Sequence, residues 1–395
     1  MKQGWTEKKL GDICTFKNGR AFKKTEWVQS GLPIIRIANL NNNNATFNFF
    51  NGEFDRSIYI EKGDLLFSWS GTVGSSFGPH IWDSNSGLLN QHIFKIGIKD
   101  DTSKYFLYNL LLWITSEVEK LTKGAVGLVH VNKSTLVDYQ ILIPKKEEQK
   151  KIVAYLDQTF AAIDTAKINV EKNLENAKEL FQSKLDEIFS QKGEGWVEKK
   201  LGDVSFLMTG GTPSRKNKEY FENGEINWLV SGDINQKEIF ECEGKITQLG
   251  LENSSTRYLP INSVMIALNG QGKTRGSVAM LKIKATCNQS LVSIYPNDIT
   301  QLRPEYIYTA LDSRYQEIRK ITGDGGNDRR GLNMPLIRNI NISFPTSTNE
   351  QEAIIQRIQL LRKKIQSLEF KYQQELGFLE ELKKSILEKT FAGEL

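Results

Sequence analysis

The chain has 395 residues, enough for two or three domains, and carries 52 Lys and Arg against 47 Asp and Glu for a formal net charge of +5. That near balance allows a nucleic-acid partner without requiring one, so local patches must decide. Three widely spaced cysteines (Cys14, Cys242, Cys287) exclude a disulfide scaffold, residues 1–12 lack the apolar core of a secretion signal, and no apolar run approaches membrane-spanning length, so a cytoplasmic protein with no membrane partner is expected.

In chain order, Gly4-Trp5 followed by Glu7, Leu10-Gly11-Asp12 opens a segment, residues 1–145, rich in short β-type runs: 32–37, 64–67, 92–96 and 141–144. Clusters of Gly, Asn and Ser separate them, as turns require. Helical spacing of apolar residues predicts a helix over 104–119. The segment ends at Pro144, which stops a strand before a long helix over 146–192. In that helix Leu156, Phe160, Ile163, Lys167, Val170, Leu174, Ala177, Phe181, Lys184 and Ile188 follow alternating steps of four and three, the seam of a coiled coil.

The pattern then repeats. Gly195-Trp196 with Glu198 and Leu201-Gly202-Asp203 reopens it 191 residues later, and residues 193–346 hold β-type runs at 226–230, 264–268 and 291–295, a predicted helix over 304–320, and a strand ending at Pro345. A second long helix occupies 347–395, with a seam read as Ile354, Ile358, Leu361, Ile365, Leu368, Tyr372, Glu375, Leu379, Leu382 and Ile386. Glu148-Gln149 with Ile152 matches Glu350-Gln351 with Ile354, and Leu185 with Phe189 matches Leu387 with Phe391, each displaced by 202. Neither long stretch contains Pro, and Gly377 is the one mid-helix Gly. At ~1.5 Å per residue each helix would be ~60 Å long, a rod rather than an ordinary domain helix. Asn90-Gln91 corresponds to Asn288-Gln289, and Ser70-Gly71 falls where Asn269-Gly270 falls, while the intervening loops barely match. Two copies of one scaffold therefore carry two different surfaces.

These features resemble the specificity subunit of type I restriction–modification systems. The resemblance covers the whole chain. It rests on Gly-Trp-x-Glu-x-x-Leu-Gly-Asp at both domain starts, Gly211-Thr212-Pro213-Ser214, the Pro-to-Glu-Gln-x-x-Ile run at each helix start, and Glu-Leu, Ser-x-Leu and Phe at each helix end. The first segment departs from it with Asn18-Gly19-Arg20-Ala21-Phe22 in place of the Gly-Thr-Pro-Ser run. The resemblance implies an α+β protein. Two globular α/β target recognition domains, related by a pseudo-twofold axis, would be joined by two long antiparallel helices forming a coiled coil. It implies a non-catalytic subunit whose partners are double-stranded DNA, two methyltransferase subunits and, through the complex, restriction/translocase subunits. Each domain would read one half of a bipartite site, with the heads about one helical turn apart, ~34–36 Å. No cofactor is expected in this chain; S-adenosylmethionine and ATP would belong to partner subunits. An orphan DNA-binding decoy or regulator, or a scaffold reading no DNA, is the competing reading.

The residues themselves agree with a non-catalytic role. No Pro-Pro pair is available for the loop that holds a flipped adenine in a methyltransferase. The single Walker-like run starts at Ala267 where a phosphate cradle needs Gly. His80, His92 and His130 lack Cys partners at ligand spacing, so no metal site is expected. DNA-contact candidates are polar and basic residues in Gly/Asn-rich loops: Lys17, Arg20, Lys23, Lys24, Arg36, Ser70, Thr72, His80, Lys123 and His130 in the first segment. In the second they are Arg215, Lys216, Lys218, Gln271, Lys273, Thr274, Arg275, Asn327, Arg329, Arg330 and Asn333. Arg and Lys suit phosphates and guanine edges, Asn and Gln suit adenine; a solvated surface charge is the alternative for each. Trp5 and Trp196 are expected to pack at helix ends. With a twofold axis at Val170 and Tyr372, facing residues sum to 542, which sets Lys167 against Glu375 as the register pair, Leu174 against Leu368 and Phe160 against Leu382.

Overall fold

The computed structural model describes residues 4–42, 45–71, 76–99, 101–121, 129–190, 193–270, 272–321 and 331–394. The chain divides into two compact units, Met1–Lys172 with Tyr372–Leu395, and Asn173–Lys371. Each unit holds one globular domain, the first half of the long helix that follows it, and the second half of the other long helix. The division falls within three residues of Val170 and Tyr372, the helix centres.

In the first unit a four-stranded antiparallel sheet runs in the order Cys14–Asn18, Ile93–Ile98, Leu65–Ser68, Gly78–Ile81. A second sheet has the order Asn48–Phe50, Leu32–Ile35, Gly87–Leu89, Tyr59–Ile60, with the middle pair parallel. The run expected at 32–37 is a strand only to Ile35; Ile37–Asn41 is helical, with the Asn39 side chain accepting from the Arg36 amide at 3.0 Å. Entry strand Thr6–Lys9 pairs with exit strand Gln140–Ile143, so the domain closes at its stem. The helix Lys104–Leu121 presents Phe106, Leu107, Leu110, Leu111 and Ile114 to the core. Trp5 joins that core, together with Ile152 and Leu156 from the first long helix and Leu387 and Phe391 from the end of the second.

The second unit repeats the scheme. Its main sheet has the order Ser205–Thr209, Leu291–Pro296, Val264–Ala267, Val278–Leu281, Glu238–Ile239, and Trp196–Lys200 pairs with Asn341–Pro345 at the stem. Trp196 donates its indole N–H to Glu350 at 3.0 Å, in the first turn of the second long helix. The helix expected over 304–320 is two, Pro304–Ser313 and Tyr315–Lys320. The break is at Arg314, whose guanidinium donates to the Asn341 carbonyl and to Glu317.

The long helices run Lys146–Ser190 and Thr348–Phe391 and lie antiparallel within each unit. In the first unit Leu156 and Phe160 share a core with Ile386, and in the second Phe181, Leu185 and Ile188 share one with Leu361, Ile358 and Ile354. The first helix uses the expected seam. The second keeps it at Ile354, Ile358, Leu361, Ile365, Tyr372, Leu379 and Ile386 but departs from it at three positions: Leu368 and Leu382 are 40% and 47% exposed and Glu375 is exposed, while Glu369, Leu376 and Lys383 turn inward. The heptad positions 358, 365, 372, 379 and 386 serve both phases. Gln351 and Ile355 are buried at the start of this helix, where Ile355 joins the second domain's core. Charged side chains are tolerated at the seam because a two-helix pair leaves its rim wet. Lys383 lays its stem over the Phe160 ring, Nζ 4.9 Å from the centroid, and reaches Asp164 at 3.2 Å.

The register pair is corrected as well. Lys167 pairs with Glu380 at 2.7 Å, not with Glu375. Helical side chains lean toward their own N-terminus. Across an antiparallel pair, two long polar side chains therefore meet when each Cα lies C-terminal of the contact, and both the Lys167–Glu380 and the Asp164–Lys383 pairs sum to 547 rather than 542.

Candidate nucleic-acid interface

Strand direction fixes which loops share an end. In the first domain Cys14–Asn18 and Leu65–Ser68 both pair antiparallel with Ile93–Ile98, so they run parallel to each other. The turn after Asn18, the loop after Ser68 and the approach to Ile93 therefore emerge together, opposite the stem. In the second domain the turn after Thr209, the loop after Ala267 and the approach to Leu291 do the same.

The backbone bonds that hold this end are duplicated. Arg20 N–H donates to the Leu89 carbonyl at 2.8 Å and Asn90 N–H to Ile35 at 3.0 Å; Gly211 N–H donates to Cys287 at 3.0 Å and Asn288 N–H to Leu229 at 2.9 Å. Trp69 N–H donates to His92 at 3.3 Å and Val131 N–H to Trp69 at 3.2 Å; Leu268 N–H donates to Ser290 at 2.9 Å and Leu332 N–H to Leu268 at 3.0 Å. The turns approach so closely that a Cβ on Gly19 would lie 2.2 Å from the Asn90 carbonyl oxygen, and one on Gly210 1.7 Å from that of Cys287. The Asn-Gln landmarks thus mark where each first turn docks on the second sheet.

On this shared frame the side chains differ. In the first domain Arg20 pairs with Glu26 and lies over the Phe22 and Phe50 rings, 4.9 Å from each centroid, so it is held by its own domain. Lys17, Lys23 and Lys24 are exposed. Arg36 donates to the Thr46 carbonyl at 3.2 Å and stands 5.8 Å over Trp27. Ser70 is buried, paired through its backbone with His130. His80 does not face the loop end. It lines a cavity of about 440 Å3 with Trp82, Tyr105, Tyr108 and Phe160 on the side of the first long helix. There burial pushes its imidazole below the ordinary value, and Nε2 lies 3.3 Å from the Ser76 carbonyl.

In the second domain Arg215, Lys216, Lys218 and Lys273 are exposed, and Thr274 and Arg275 are half-buried. Asn333 is a helix cap: its side chain accepts from Leu336 N–H at 3.0 Å, at the start of Met334–Arg338. Thr72, Lys123, Gln271, Asn327, Arg329 and Arg330 lie outside the described residues. Sequence reasoning missed the buttress of the 272–277 loop. Tyr315 donates its hydroxyl to the Lys273 carbonyl at 2.8 Å, and Arg319 donates to the Gly272 carbonyl at 2.6 Å and to Tyr315 at 2.7 Å. The available signal was Tyr315 and Arg319 at i, i+4 on one helix. Thr212 donates to Gln289 at 2.6 Å and Trp228 to the Gly211 carbonyl at 3.0 Å, fixing the other turn. Exposed cations on rigidly backed loops suit phosphate and base-edge contacts. Among the described residues no group of three His, Cys, Asp or Glu side chains is placed to hold a metal ion, and no helix is long and apolar enough to cross a membrane.

The profile of the type I restriction modification DNA specificity domain matches residues 2–176 and again 193–376. The type I restriction enzyme EcoBI specificity subunit of Escherichia coli is 24% identical over 427 residues, spanning 100% of this chain and 87% of that protein. The MjaVIII specificity subunit of Methanocaldococcus jannaschii is 24% identical over 419 residues, spanning 100% and 94%. Among solved structures, a chain from a study of complex assembly and conformational transition of the type I R-M system superposes with a TM-score of 0.72 at 17% identity, covering 100% of this chain and 99% of that one. The HsdS subunit from Thermoanaerobacter tengcongensis gives 0.59 at 17% identity, covering 100% and 98%.

Proposed function

The chain belongs to the type I restriction–modification DNA specificity family, and from that premise we propose that its two domains, residues 1–145 and 193–346, each read one half of a bipartite duplex site. The protein is a specificity subunit, non-catalytic, that works with DNA, methyltransferase subunits and restriction/translocase subunits. S-adenosylmethionine and ATP are held by those partners, and the complex works in the cytoplasm. The observation that carries the reading is one loop-bearing end made twice: the backbone hydrogen bonds recur pair for pair, while the side chains mounted on them differ.

Exposed Lys17, Lys23, Lys24, Arg215, Lys216 and Lys273 supply phosphate contacts, which position the duplex without reading it. Base readout falls to polar groups nearer the turns, such as Gln289 and Thr274. The two long helices, too long for one domain, carry the spacing between half-sites and the docking faces for two methyltransferase subunits. Their outward sides expose Ile168, Leu180, Leu360, Phe370 and Phe378.

The experiment is methylome sequencing of the host with the gene intact and deleted. A bipartite N6-methyladenine motif that vanishes on deletion supports the reading, and exchange of residues 1–145 for those of another specificity subunit should change one half-site only. A motif that survives deletion, or a chimera that alters both half-sites, would refute it.

A further inference from the structure

The Glu-Gln pair that opens each long helix stands at the stem of its domain, and its glutamine is among the most buried polar side chains of the described residues. Gln149 is 3% exposed and Gln351 0%. Gln149 Nε2 donates to the Pro144 carbonyl at 3.1 Å, and its Oε1 accepts from Ser103 N–H at 2.9 Å. Gln351 repeats the arrangement: Nε2 donates to the carbonyls of Pro345 at 2.8 Å and Gln301 at 2.7 Å, and Oε1 accepts from Arg303 N–H at 2.9 Å. Pro144 and Pro345 carry the carbonyls that close each domain's last strand. Ser103 and Arg303 immediately precede the helices Lys104–Leu121 and Pro304–Ser313. One carboxamide therefore ties three elements together: the exit strand, the domain helix and the first turn of the long helix.

The joint requires this side chain. A carboxamide offers an acceptor and two donors at one planar tip; glutamate lacks the donors, leucine lacks both, and asparagine is one methylene short. Leaving these buried groups unpaired would be costly. Neighbouring apolar contacts, such as Ile152 and Ile355 in the cores, hold the helix against the domain but are non-directional. The hydrogen bonds supply the direction.

We propose that Gln149 and Gln351 are positioning residues that set the angle between each recognition domain and its long helix, and through it the number of base pairs accepted between the half-sites. This rests on the bipartite-site reading above. A domain of about 150 residues has a radius of gyration of ~15 Å, so its loop end stands roughly 30 Å from the joint. A tilt of about 7° then displaces the reading loops by roughly 3.4 Å, one base-pair step.

The test uses the full chain assembled with its methyltransferase subunits. Duplexes carrying both half-sites at a series of spacer lengths are methylated by wild type and by Gln149→Leu and Gln351→Leu. The expected result is that wild type accepts one spacer, whereas each variant methylates spacers one base pair longer or shorter at least tenfold better relative to the native length. Half-site preferences remain unchanged, a combination that simple loss of stability would not produce. If Gln149→Leu fails to assemble, Gln149→Met serves, since it keeps the unbranched length of the side chain while removing both the acceptor for Ser103 N–H and the donor to the Pro144 carbonyl. Unchanged spacer stringency in an assembled variant overturns the proposal, as does altered half-site sequence preference. A wild-type complex that shows no fixed spacer overturns the bipartite reading itself, which separates the two failures.

Discussion

Replacing Phe391 with alanine removes the ring that ends the second long helix inside the first domain's core. Phe391 is 2% exposed, packs edge-on against Phe106 with centroids 5.5 Å apart, and stacks near Trp113 at 5.8 Å. Truncating a buried Phe to Ala costs ~3–5 kcal/mol, the upper part applying where rigid neighbours cannot fill the void. Here the neighbours are two aromatic rings and the helix Lys104–Leu121, so collapse into the cavity is poor. For a unit of this size each 1 kcal/mol shifts Tm by roughly 2–4 °C, giving an expected drop of about 10 °C. Scanning calorimetry reads the shift. Hydrogen exchange locates it, with protection lost over 104–118 and 380–391 and kept in the second domain. Phe189→Ala, whose ring is half-buried 6.1 Å from Tyr306, should cost the second unit a smaller ~1–2 kcal/mol. A Tm drop below about 2 °C for Phe391→Ala, or protection lost equally in both units, would refute the docking of each helix end in the other helix's domain.

Charge reversal at Lys167 alone should destabilise by no more than ~1 kcal/mol, because the pair with Glu380 is exposed, and Lys167→Glu with Glu380→Lys should restore it; a double-mutant cycle that instead couples Lys167 to Glu375 would reinstate the other register. His80 is kept neutral in the fold by burial, so its contribution to stability is complete above its ordinary pKa of 6.5 and is lost as pH falls from there toward the lower folded value. Tm should therefore fall further between pH 8 and pH 5 for wild type than for His80→Gln, and an imidazole titrating at 6.5 or above by NMR would contradict this. Lys273→Ala should weaken binding to cognate and random duplex alike and lower the salt slope by about 1, whereas Asn333→Ala should leave the slope intact and cost ~1 kcal/mol of stability through the lost cap. A salt slope unchanged in the first or reduced in the second would reverse those assignments.

Periodicity and repetition are local properties of a chain, and they are what the sequence determined here: two domains, two long helices, the entry and exit residues of each, and the Asn-Gln landmarks. The repeat matched the turn after residue 18 with that after residue 209 and placed a strand before each long helix; the pairing of that strand with the entry strand of its domain was seen only in the structure. Candidate loops were legible as well, since Gly and Asn mark turns and exposed Lys marks solvent.

The tertiary structure decided which of two heptad phases the second helix uses. Leu368 and Leu382 fit the heptad pattern better than Glu369 and Lys383 do, yet it is the charged pair that turns inward, Lys383 covering the Phe160 ring and reaching Asp164. It decided that Lys167 meets Glu380, because the lean of both side chains shifts polar contacts away from the Cα register. It also sorted the contact candidates. Arg20, Asn333 and His80 read in sequence like any loop polar residue, but a carboxylate with two rings, a helix N-terminus and a cavity wall claim them. Some of these partners lie far along the chain, as Phe50 does from Arg20 and Phe160 from His80, and no local pattern of residue types encodes them; the Asn333 cap is local, its partner Leu336 standing three residues on.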